Sequence, residues 1–422
     1  MRSEYTESVP SVVLSHGGVQ YSYQMALALQ RAGLLSAFYT TIYDFRRLGK
    51  FLPWFRSRLS RRRYEGLDEA LIKSNPCPEL LQRAVSYLAL GNSFFTNRSI
   101  HWRCRLFDDY ISRELERIKF DLLIGLSGSA LSSIKKTKEK GKISVVDQHD
   151  IHYSLAERLL REEQELHPEF ASSIPYLPPL WSYLNCVKQE LDLADFILVP
   201  SSFSLKSHLD GGIPQEKLIL MLHGMNPPHD NVCPSKREGG KFRILFVGTL
   251  TQRKGLKYLL EAVKQLHSSQ IELILIGDCM AEERALAPYR DFFRYIPYVP
   301  YSKLKDHFDH AHLLVLPSIF DAFGLVALDA MAAGLPVIVS EHTAAGSDIV
   351  RNGIDGFVVP IRDTEAIKRE ILTLYENENL RRQMGFNASE RAKEFSWDTY
   401  AERLKNAIER ILSTSRKPTY AA

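Results

Sequence analysis

The chain has 422 residues, of which 54 are Lys or Arg and 50 are Asp or Glu, so its formal net charge is +4. This length exceeds the usual size of one domain, and the hydrophobic fraction of 45% is typical of a globular protein with a well-filled interior. The near balance of charge excludes a general nucleic-acid-binding protein, which needs a strongly basic surface.

The five cysteines are scattered along the sequence and form no Cys-x-x-Cys pair. They indicate neither a disulfide framework nor a zinc knuckle, and they favour a reducing compartment. The N-terminal residues lack a long apolar core, and no run of about 18 apolar residues occurs in the chain. We therefore expect a cytoplasmic protein without a membrane-spanning helix.

Short apolar runs alternate with polar helical segments through the first half of the chain. The first run leads into His16, Gly17 and Gly18 and then into an amphipathic stretch over 20–30, which is the order strand, glycine turn, helix. The runs that we predict to be strands cover 12–14, 121–126, 143–146 and 196–199. Such alternation predicts an α/β domain with a parallel sheet between helices.

The same pattern begins again after a segment without periodicity. Residues 223–241 are rich in Pro, Gly and charge, which predicts an interdomain linker. We therefore predict a Rossmann-like first domain over 1–222 and a Rossmann-like second domain over 242–395. A last helix within 396–422 is expected to pack back on the first domain. The strands of the second domain are predicted over 242–247, 271–276, 313–316 and 337–339, with helices over 256–266, 364–377 and 380–395.

Three glycine turns follow predicted strands, which is where doubly wound sheets bind their ligands. The first contains Gly17 and Gly18, and it is either a phosphate-binding turn or only a turn. The second, over 248–255, carries Arg253 and Lys254 at the mouth of a helix. Cations at that end of a helix oppose its dipole, so they indicate a bound anion such as pyrophosphate unless they are merely solvated.

The third turn is the most specific of the three. If a helix begins near Gly324, the free N–H groups of Leu325 and Val326 bind a phosphate oxygen, and the absent side chain of Gly324 permits close approach. Asp321 precedes this helix and Asp329 lies inside it, so one carboxylate is available to sugar hydroxyls and the other to a ribose. The alternative for these acids is a helix N-terminal charge and a partly buried helix residue.

At these residues the second half resembles the retaining nucleotide-sugar glycosyltransferases of family 4, also called glycosyl transferases group 1. Members have the GT-B fold, in which two Rossmann-like domains face each other across a cleft. Their signature is a Glu, seven residues and a second Glu, with Phe-Gly-Leu in between. This chain has Asp321, seven residues and Asp329, with Phe323 and Gly324 between them. Both carboxylates are therefore retained, but each is one methylene shorter.

The resemblance implies a role for each matching residue. Asp321 contacts the donor sugar, Lys254 neutralises the departing diphosphate, and Asp329 binds the ribose. An Arg that often follows the first glycine of the basic turn is replaced here by Thr249. The other donor-binding residues implied are Gly17, Gly18, Arg253, Phe323, Gly324, Leu325 and Val326.

The first half resembles the family more loosely, in His16-Gly17-Gly18 and in the run over 146–152. Relatives carry a His near the cleft at this strand end, where it meets the transferred sugar or the acceptor. Both His152 and His149 fit this description. We take His152 as a catalytic candidate, and His16 and His149 as acceptor-binding candidates. A structural role is the alternative, since lone histidines near loops are often structural.

The activity implied by the resemblance is transfer of a sugar from a nucleoside-diphosphate sugar, with retention of configuration. The acceptor is a glycan, a lipid or a lipid-linked sugar, and neither a cofactor nor an essential metal ion is expected. The adjacent acids Asp108 and Asp109 are predicted to lie on a solvated helix face. A non-catalytic nucleotide-sugar-binding or scaffolding subunit is the alternative function.

Cations and aromatic residues are interleaved from Arg46 to Arg63. Such a segment docks on anionic lipid in many peripheral proteins, and here it would place the protein on the inner face of a membrane. A solvated loop and a cation-lined mouth for a phosphorylated acceptor are the alternatives, so the sequence leaves the membrane as one of three interpretations.

Overall fold

Two parallel sheets organise the computed structural model of the protein, in which residues 9–18, 21–45, 62–88, 93–174, 181–225 and 240–415 are described. In each sheet the strand order reverses beside a central strand, which is the arrangement of doubly wound folds. The α/β class and the two Rossmann-like sheets predicted from the sequence are therefore confirmed.

The first sheet has seven strands in the described residues. They are β1 (Val12–Ser15), β2 (Leu35–Thr40), β3 (Ile72–Ser74), β4 (Leu122–Leu126), β5 (Ile143–Asp147), β6 (Phe196–Val199) and β7 (Leu218–Leu220). Their order is β3-β2-β1-β4-β5-β6-β7, with every neighbouring pair parallel. The central strands are apolar because helices cover both faces of the sheet.

The helices of this half connect the strands in turn. They are α1 (Ser22–Arg31), α2 (Cys77–Leu88), α3 (Ser93–Glu114), α4 (Leu131–Glu139), α5 (Tyr153–Leu166), α6 (Trp181–Leu193) and α7 (Ser202–Asp210).

Asp108 departs from its sequence prediction, because it is buried where α3 meets α4. Its carboxylate accepts hydrogen bonds from the N–H groups of Ser132 (2.6 Å) and Ser133 (3.0 Å) in the first turn of α4. Asp109 accepts one from the Ser132 hydroxyl at 2.8 Å. A carboxylate at the positive end of a helix satisfies its unpaired donors. The predicted solvated face is therefore wrong for Asp108.

The second sheet has six strands in the described residues, in the order β10-β9-β8-β11-β12-β13. They are β8 (Phe242–Val247), β9 (Ile271–Ile276), β10 (Phe293–Ile296), β11 (Leu313–Leu316), β12 (Val337–Ser340) and β13 (Gly356–Val359). The helices around it are α8 (Leu256–Leu266), α9 (Glu283–Leu286), α10 (Tyr301–His310), α11 (Leu325–Ala332), α12 (Thr364–Glu376) and α13 (Glu378–Ala392).

The last helix, α14 (Trp397–Ser415), returns to the first domain and lies against α1. Its apolar side chains Leu404 and Ile408 are buried in the same cluster as Met25 and Leu29 of α1. This packing attaches the last described helix to the first domain, although the second domain comes directly before it in the sequence.

One segment of the first 222 residues packs with the second domain instead. Ile151, Leu159 and Leu160 in and before α5 are buried in the hydrophobic cluster of the second sheet. Phe170 and Ile174, just after α5, are buried in the same cluster. Residues 151–174 therefore belong to the first domain by their place in the sequence, but buried side chains of this segment pack with the second domain.

Within the described ranges, no helix is long and apolar enough to cross a membrane. Most of the basic segment from Arg46 to Arg63 lies outside the described residues, which resume at 62. Arg62 pairs with the buried Glu79 at 2.7 Å, and Arg63 pairs with Glu69 at 2.6 Å. These two cations are therefore engaged within the protein.

Candidate functional site

The turn after β8 brings two cations to the end of the second sheet. Gln252, Arg253 and Lys254 form one 3-10 turn directly before α8. Gly255 closes this turn with a φ of +72°, and a Cβ at this position would lie 1.9 Å from the carbonyl oxygen of Pro317. Only glycine permits this approach, which holds the turn against the loop that follows β11.

Lys254 and Asp321 pair across these two loops. Nζ of Lys254 lies 2.5 Å from Oδ2 of Asp321, and the side chains are only 18% and 19% exposed. Burial lowers the pKa of Lys254, although the charge of Asp321 opposes this change. Burial alone would raise the pKa of Asp321, but the charges of Lys254 and Arg253 outweigh it, so that pKa lies below its ordinary value. The carboxyl group is therefore ionised and salt-bridged.

Arg253 lies beside this pair. Its guanidinium carbon is 5.4 Å from the ring centre of Phe320, and its carbonyl oxygen accepts a hydrogen bond from the N–H of Ile319 at 2.8 Å. The first contact has the geometry of a cation–π interaction. Arg253, Lys254 and Asp321, which we call the charged cluster, together carry one net positive charge and so suit an anionic ligand.

Gly324 directly precedes α11, three residues after Asp321 of the charged cluster. Its φ is +62°, and a Cβ here would lie 2.8 Å from the backbone nitrogen of Ala345. The first hydrogen bond of the helix runs from the N–H of Ala327 to the carbonyl oxygen of Gly324 at 3.0 Å. The N–H groups of Leu325 and Val326 therefore precede the bonded part of the helix, where anions bind.

Asp329 lies within α11 and contacts α10. Its Oδ1 accepts a hydrogen bond of 2.9 Å from the hydroxyl of Tyr301. Burial raises the pKa of Asp329 to about 6, although the tyrosine hydrogen bond opposes this change. The carboxyl group therefore titrates close to neutrality, and its strength as an acceptor depends on pH.

Phe323, in the loop before α11, connects the second domain to the first. Its ring centre lies 5.5 Å from that of Tyr21 and 4.7 Å from that of His223. The rings of Tyr21 and His223 are 4.1 Å apart, and Tyr400 of α14 stacks 5.8 Å from His223. These four rings, which we call the aromatic cluster, join α1, the segment after β7, the second domain and the last helix.

Asp147, the last residue of β5, is bonded to the aromatic cluster. Its Oδ2 accepts a hydrogen bond of 2.6 Å from the hydroxyl of Tyr21. Burial raises the pKa of Asp147 to about 7, and the hydrogen bond from Tyr21 opposes this rise. A carboxyl group with this pKa exchanges its proton near neutral pH.

His16 is buried at the end of β1, and its Nδ1 accepts a hydrogen bond of 3.1 Å from the N–H of Gly18. Burial lowers the pKa of His16 to about 3, so the ring is neutral and its proton is on Nε2. In the described part of the chain this Nε2 has no hydrogen-bond partner. The neighbouring carbonyl of Gly17 accepts a hydrogen bond from the Thr41 hydroxyl at 2.9 Å.

His149 and His152 have different surroundings. His149 is close enough to His16 to lower the pKa of His16 further. The His152 ring instead contacts the Ser154 hydroxyl at 2.7 Å and lies 5.3 Å from the ring centre of His208. Among the described residues we see no contact between His152 and the charged cluster. The structure therefore groups His149 with His16, and the packing of His152 favours a structural role.

The sequence did not indicate several residues that the structure brings to the site. Tyr301 and His223 carry no motif, and Tyr21 and Tyr400 are 379 positions apart in the sequence. Asp147 directly follows the strand predicted over 143–146, which is a position typical of ligand-binding residues, and this was the one available signal.

Comparison with known proteins agrees with this arrangement. Residues 233–391 match the family model described as glycosyl transferases group 1. This range contains the charged cluster and α11. The second domain belongs to the glycosyl transferases group 1 family. One relative of the chain is an uncharacterized glycosyltransferase of Methanocaldococcus jannaschii, 29% identical over 211 residues, which are 46% of this chain and 54% of the relative.

The chain matches about half the length of the first curated relatives, since the matched regions cover 54%, 44% and 60% of those three proteins. Solved structures match over nearly the whole chain. Sucrose-phosphate synthase from Thermosynechococcus elongatus has a TM-score of 0.63 at 19% identity, covering 96% of this chain and 100% of that one. Anabaena HepE in complex with UDP-glucose has a TM-score of 0.62 at 15% identity, covering 95% and 99%. The group 1 domain is therefore one half of a GT-B fold.

Proposed function

We propose that the protein is a retaining glycosyltransferase, which moves a sugar from a nucleoside-diphosphate sugar to a glycan, lipid or lipid-linked acceptor. The observation that supports this most is the salt bridge between Lys254 and Asp321, which lies beside Arg253 and the start of α11 in the group 1 domain. HepE, which shares the fold, binds UDP-glucose.

The donor diphosphate is bound by the cations and by backbone donors together. Arg253 and Lys254 pair with its oxygens, and the N–H groups of Leu325 and Val326 donate to it. When Lys254 turns to the diphosphate, Asp321 loses its partner and accepts hydrogen bonds from the hydroxyls of the donor sugar. The existing salt bridge keeps both groups ionised until that exchange.

The nucleoside extends along α11, where Asp329 accepts a hydrogen bond from a ribose hydroxyl. Gly17 and Gly18 border the donor from the first domain. Phe323 holds the two domains together at this point through the aromatic cluster.

The chemical step needs stabilisation of the departing diphosphate. Lys254, Arg253 and the α11 amides supply it electrostatically in a site from which water is largely excluded, so turnover requires neither a cofactor nor an essential metal ion. His16 and His149 face the acceptor as neutral hydrogen-bonding groups. We expect full activity in the presence of EDTA, whereas an absolute requirement for added metal would contradict this part of the proposal.

We place this activity in the cytoplasm, with docking on the inner face of a membrane through the basic segment from Arg46 to Arg63. Flotation with vesicles that contain anionic lipid tests the docking. Charge reversal at Arg46, Arg47, Arg56 and Arg58 should abolish flotation, and unchanged flotation would exclude this segment as the membrane contact.

The activity is tested in two steps. Thermal shift with UDP-, GDP- and ADP-sugars finds the donor, because a ligand of the folded state raises its stability with concentration. Slow hydrolysis of that donor, abolished by Asp321→Ala with nucleotide binding retained, supports a transferase. Binding without any turnover would indicate a scaffolding subunit instead, and no binding of any nucleotide would refute the proposal.

A further inference from the structure

A buried carboxylate on α5 reaches the turn that carries Lys254. Glu163 is fully buried, and it accepts hydrogen bonds from Gln252 Nε2 (2.7 Å), the Tyr258 hydroxyl (3.1 Å to the nearer oxygen) and Arg362 Nε (2.5 Å). All three donors belong to the second domain. A buried carboxylate is tolerated only when it is paired and hydrogen-bonded, so these contacts hold α5 and the second domain in one arrangement.

Gln252 connects Glu163 to the turn that carries Arg253 and Lys254. Its polar groups are hydrogen-bonded on several sides. Its backbone N–H donates to the Ser173 hydroxyl at 2.9 Å, and its side-chain oxygen accepts from the N–H of Lys257 at 3.2 Å. Since the side-chain nitrogen donates to Glu163, the amide has a single orientation. Gln252 is the first residue of the 3-10 turn that ends at Lys254.

The far end of this turn is also constrained. The carbonyl oxygen of Arg253 accepts from Ile319 at 2.8 Å, and Gly255 lies against Pro317. Small shifts at Gln252 therefore move Lys254 relative to Asp321, because only Arg253 and Lys254 lie between the anchored residues Gln252 and Gly255. A displacement of about 1 Å in such a site is enough to change binding and rate by up to about 100-fold.

We propose that Glu163 is a positioning residue for the donor diphosphate, acting through Gln252 on the turn that places Arg253 and Lys254. This inference rests on the proposed function. It also connects the two substrates, since α5 begins directly after the loop over 148–152 that contains the candidate acceptor histidine His149. A helix that starts next to the candidate acceptor residue thus contacts the turn that carries Arg253 and Lys254, through Gln252.

The neighbouring Glu162 is a matched control. It pairs with the same arginine, with Oε2 2.9 Å from Arg362 Nη2, and its side chain is 39% exposed. We see no contact between Glu162 and Gln252 in the described residues. Glu162→Gln therefore removes the same charge next to the same partner without disturbing the contact to the turn.

The experiment measures the affinity of the full chain for UDP, GDP and ADP by calorimetry and continues with the nucleotide that binds the wild type. Glu163→Gln and Gln252→Met are expected to weaken binding by about tenfold, whereas Glu162→Gln leaves it unchanged. Steady-state kinetics should show a raised donor KM with an unchanged acceptor KM. In the Lys254→Ala background, Glu163→Gln should weaken binding less than it does in the wild type, because one of the two cations that the turn places is then absent.

Unchanged affinity of folded Glu163→Gln would overturn the inference, and so would an equal loss in the Lys254→Ala background, which indicates general destabilisation. If Glu163→Gln does not fold, Gln252→Met decides, because Glu163 keeps its pairing with Arg362 in that variant. If the wild type binds none of the three nucleotides, the proposed function and this inference are both overturned. If it binds one of them, the variants test the role of Glu163 separately from the proposed function.

Discussion

The two domains bring polar groups to the site in opposite ways. On the second domain the acids have partners, since Asp321 pairs with Lys254 and Asp329 accepts from Tyr301. On the first domain and in the segment that directly follows it, His16 Nε2 and both ring nitrogens of His223 are buried without partners in the described residues. Paired charges favour exchange with an incoming anion, whereas neutral unpaired groups favour hydroxyls, because no charge has to be desolvated.

The strongest test of this contrast is at the charged cluster. Asp321→Asn keeps the size of the side chain but removes the charge that pairs with Lys254. We expect kcat to fall by about 100- to 1000-fold, as when one charge-stabilising group is removed from other active sites, with a much smaller change in donor affinity. Separate measurements of kcat and donor Kd check this. A kcat within tenfold of the wild type would show that the carboxylate is not needed for the chemistry.

The next largest effect concerns the glycine that starts α11. Gly324→Ala forces a left-handed φ on alanine and places its Cβ 2.8 Å from the Ala345 nitrogen. We expect a loss of stability of about 1–3 kcal/mol and donor binding weakened at least tenfold. Gly353→Ala is the control, since its φ is +77° with no atom within 4 Å of the added Cβ. Equal effects of the two substitutions on donor binding would refute a role for close packing at Gly324.

The first-domain side of this contrast is tested by removing the hydrogen bond between Tyr21 and Asp147. Tyr21→Phe deletes the donor to Asp147, so we expect a loss of about 1–2 kcal/mol in the free energy of unfolding at pH 8. Because the folded pKa of Asp147 is raised to about 7, the folded state holds this proton and stability falls as pH rises through that value. The loss should therefore be smaller at pH 5, where the carboxyl group is protonated with or without Tyr21.

Tyr400→Phe is the matched control for Tyr21→Phe. The Tyr400 hydroxyl is buried in the same aromatic cluster, but it has no hydrogen-bond partner in the described residues. Chemical denaturation at both pH values should show little change for this variant. A loss as large as that of Tyr21→Phe would mean that ring packing, rather than the bond to Asp147, explains the effect.

The smallest expected effect is the titration of Asp329. Its raised pKa of about 6 means that the carboxylate becomes protonated as pH falls through that value. The donor KM should then rise by about three- to tenfold, since a ribose hydroxyl loses its acceptor. A nucleoside-diphosphate sugar is the right probe, because its diphosphate does not titrate in this range. The same KM profile in Asp329→Asn would assign the titration to another group.

The central strands of both sheets were predictable because their apolar runs are local. The strands β8, β9 and β11 have the bounds expected from the sequence, and α11 begins after Gly324 as predicted. The strands β2, β3, β7, β10 and β13 were not predicted, and of these β2 is a mostly buried run of six residues inside the first sheet. The other four have only three or four residues, they are partly exposed, and they lie at the edges of the sheets, so pairing with a neighbour decides their conformation.

The sequence by itself determined which residues form the proposed donor side of the site, because Asp321, Gly324 and Asp329 lie within one short motif. Only the tertiary structure decided what these residues contact. Lys254 meets Asp321 from 67 positions away, and Glu163 meets Gln252 from 89 positions away. Such contacts depend on how whole elements pack, since the energy of a buried charge or ring depends on partners that no local pattern specifies.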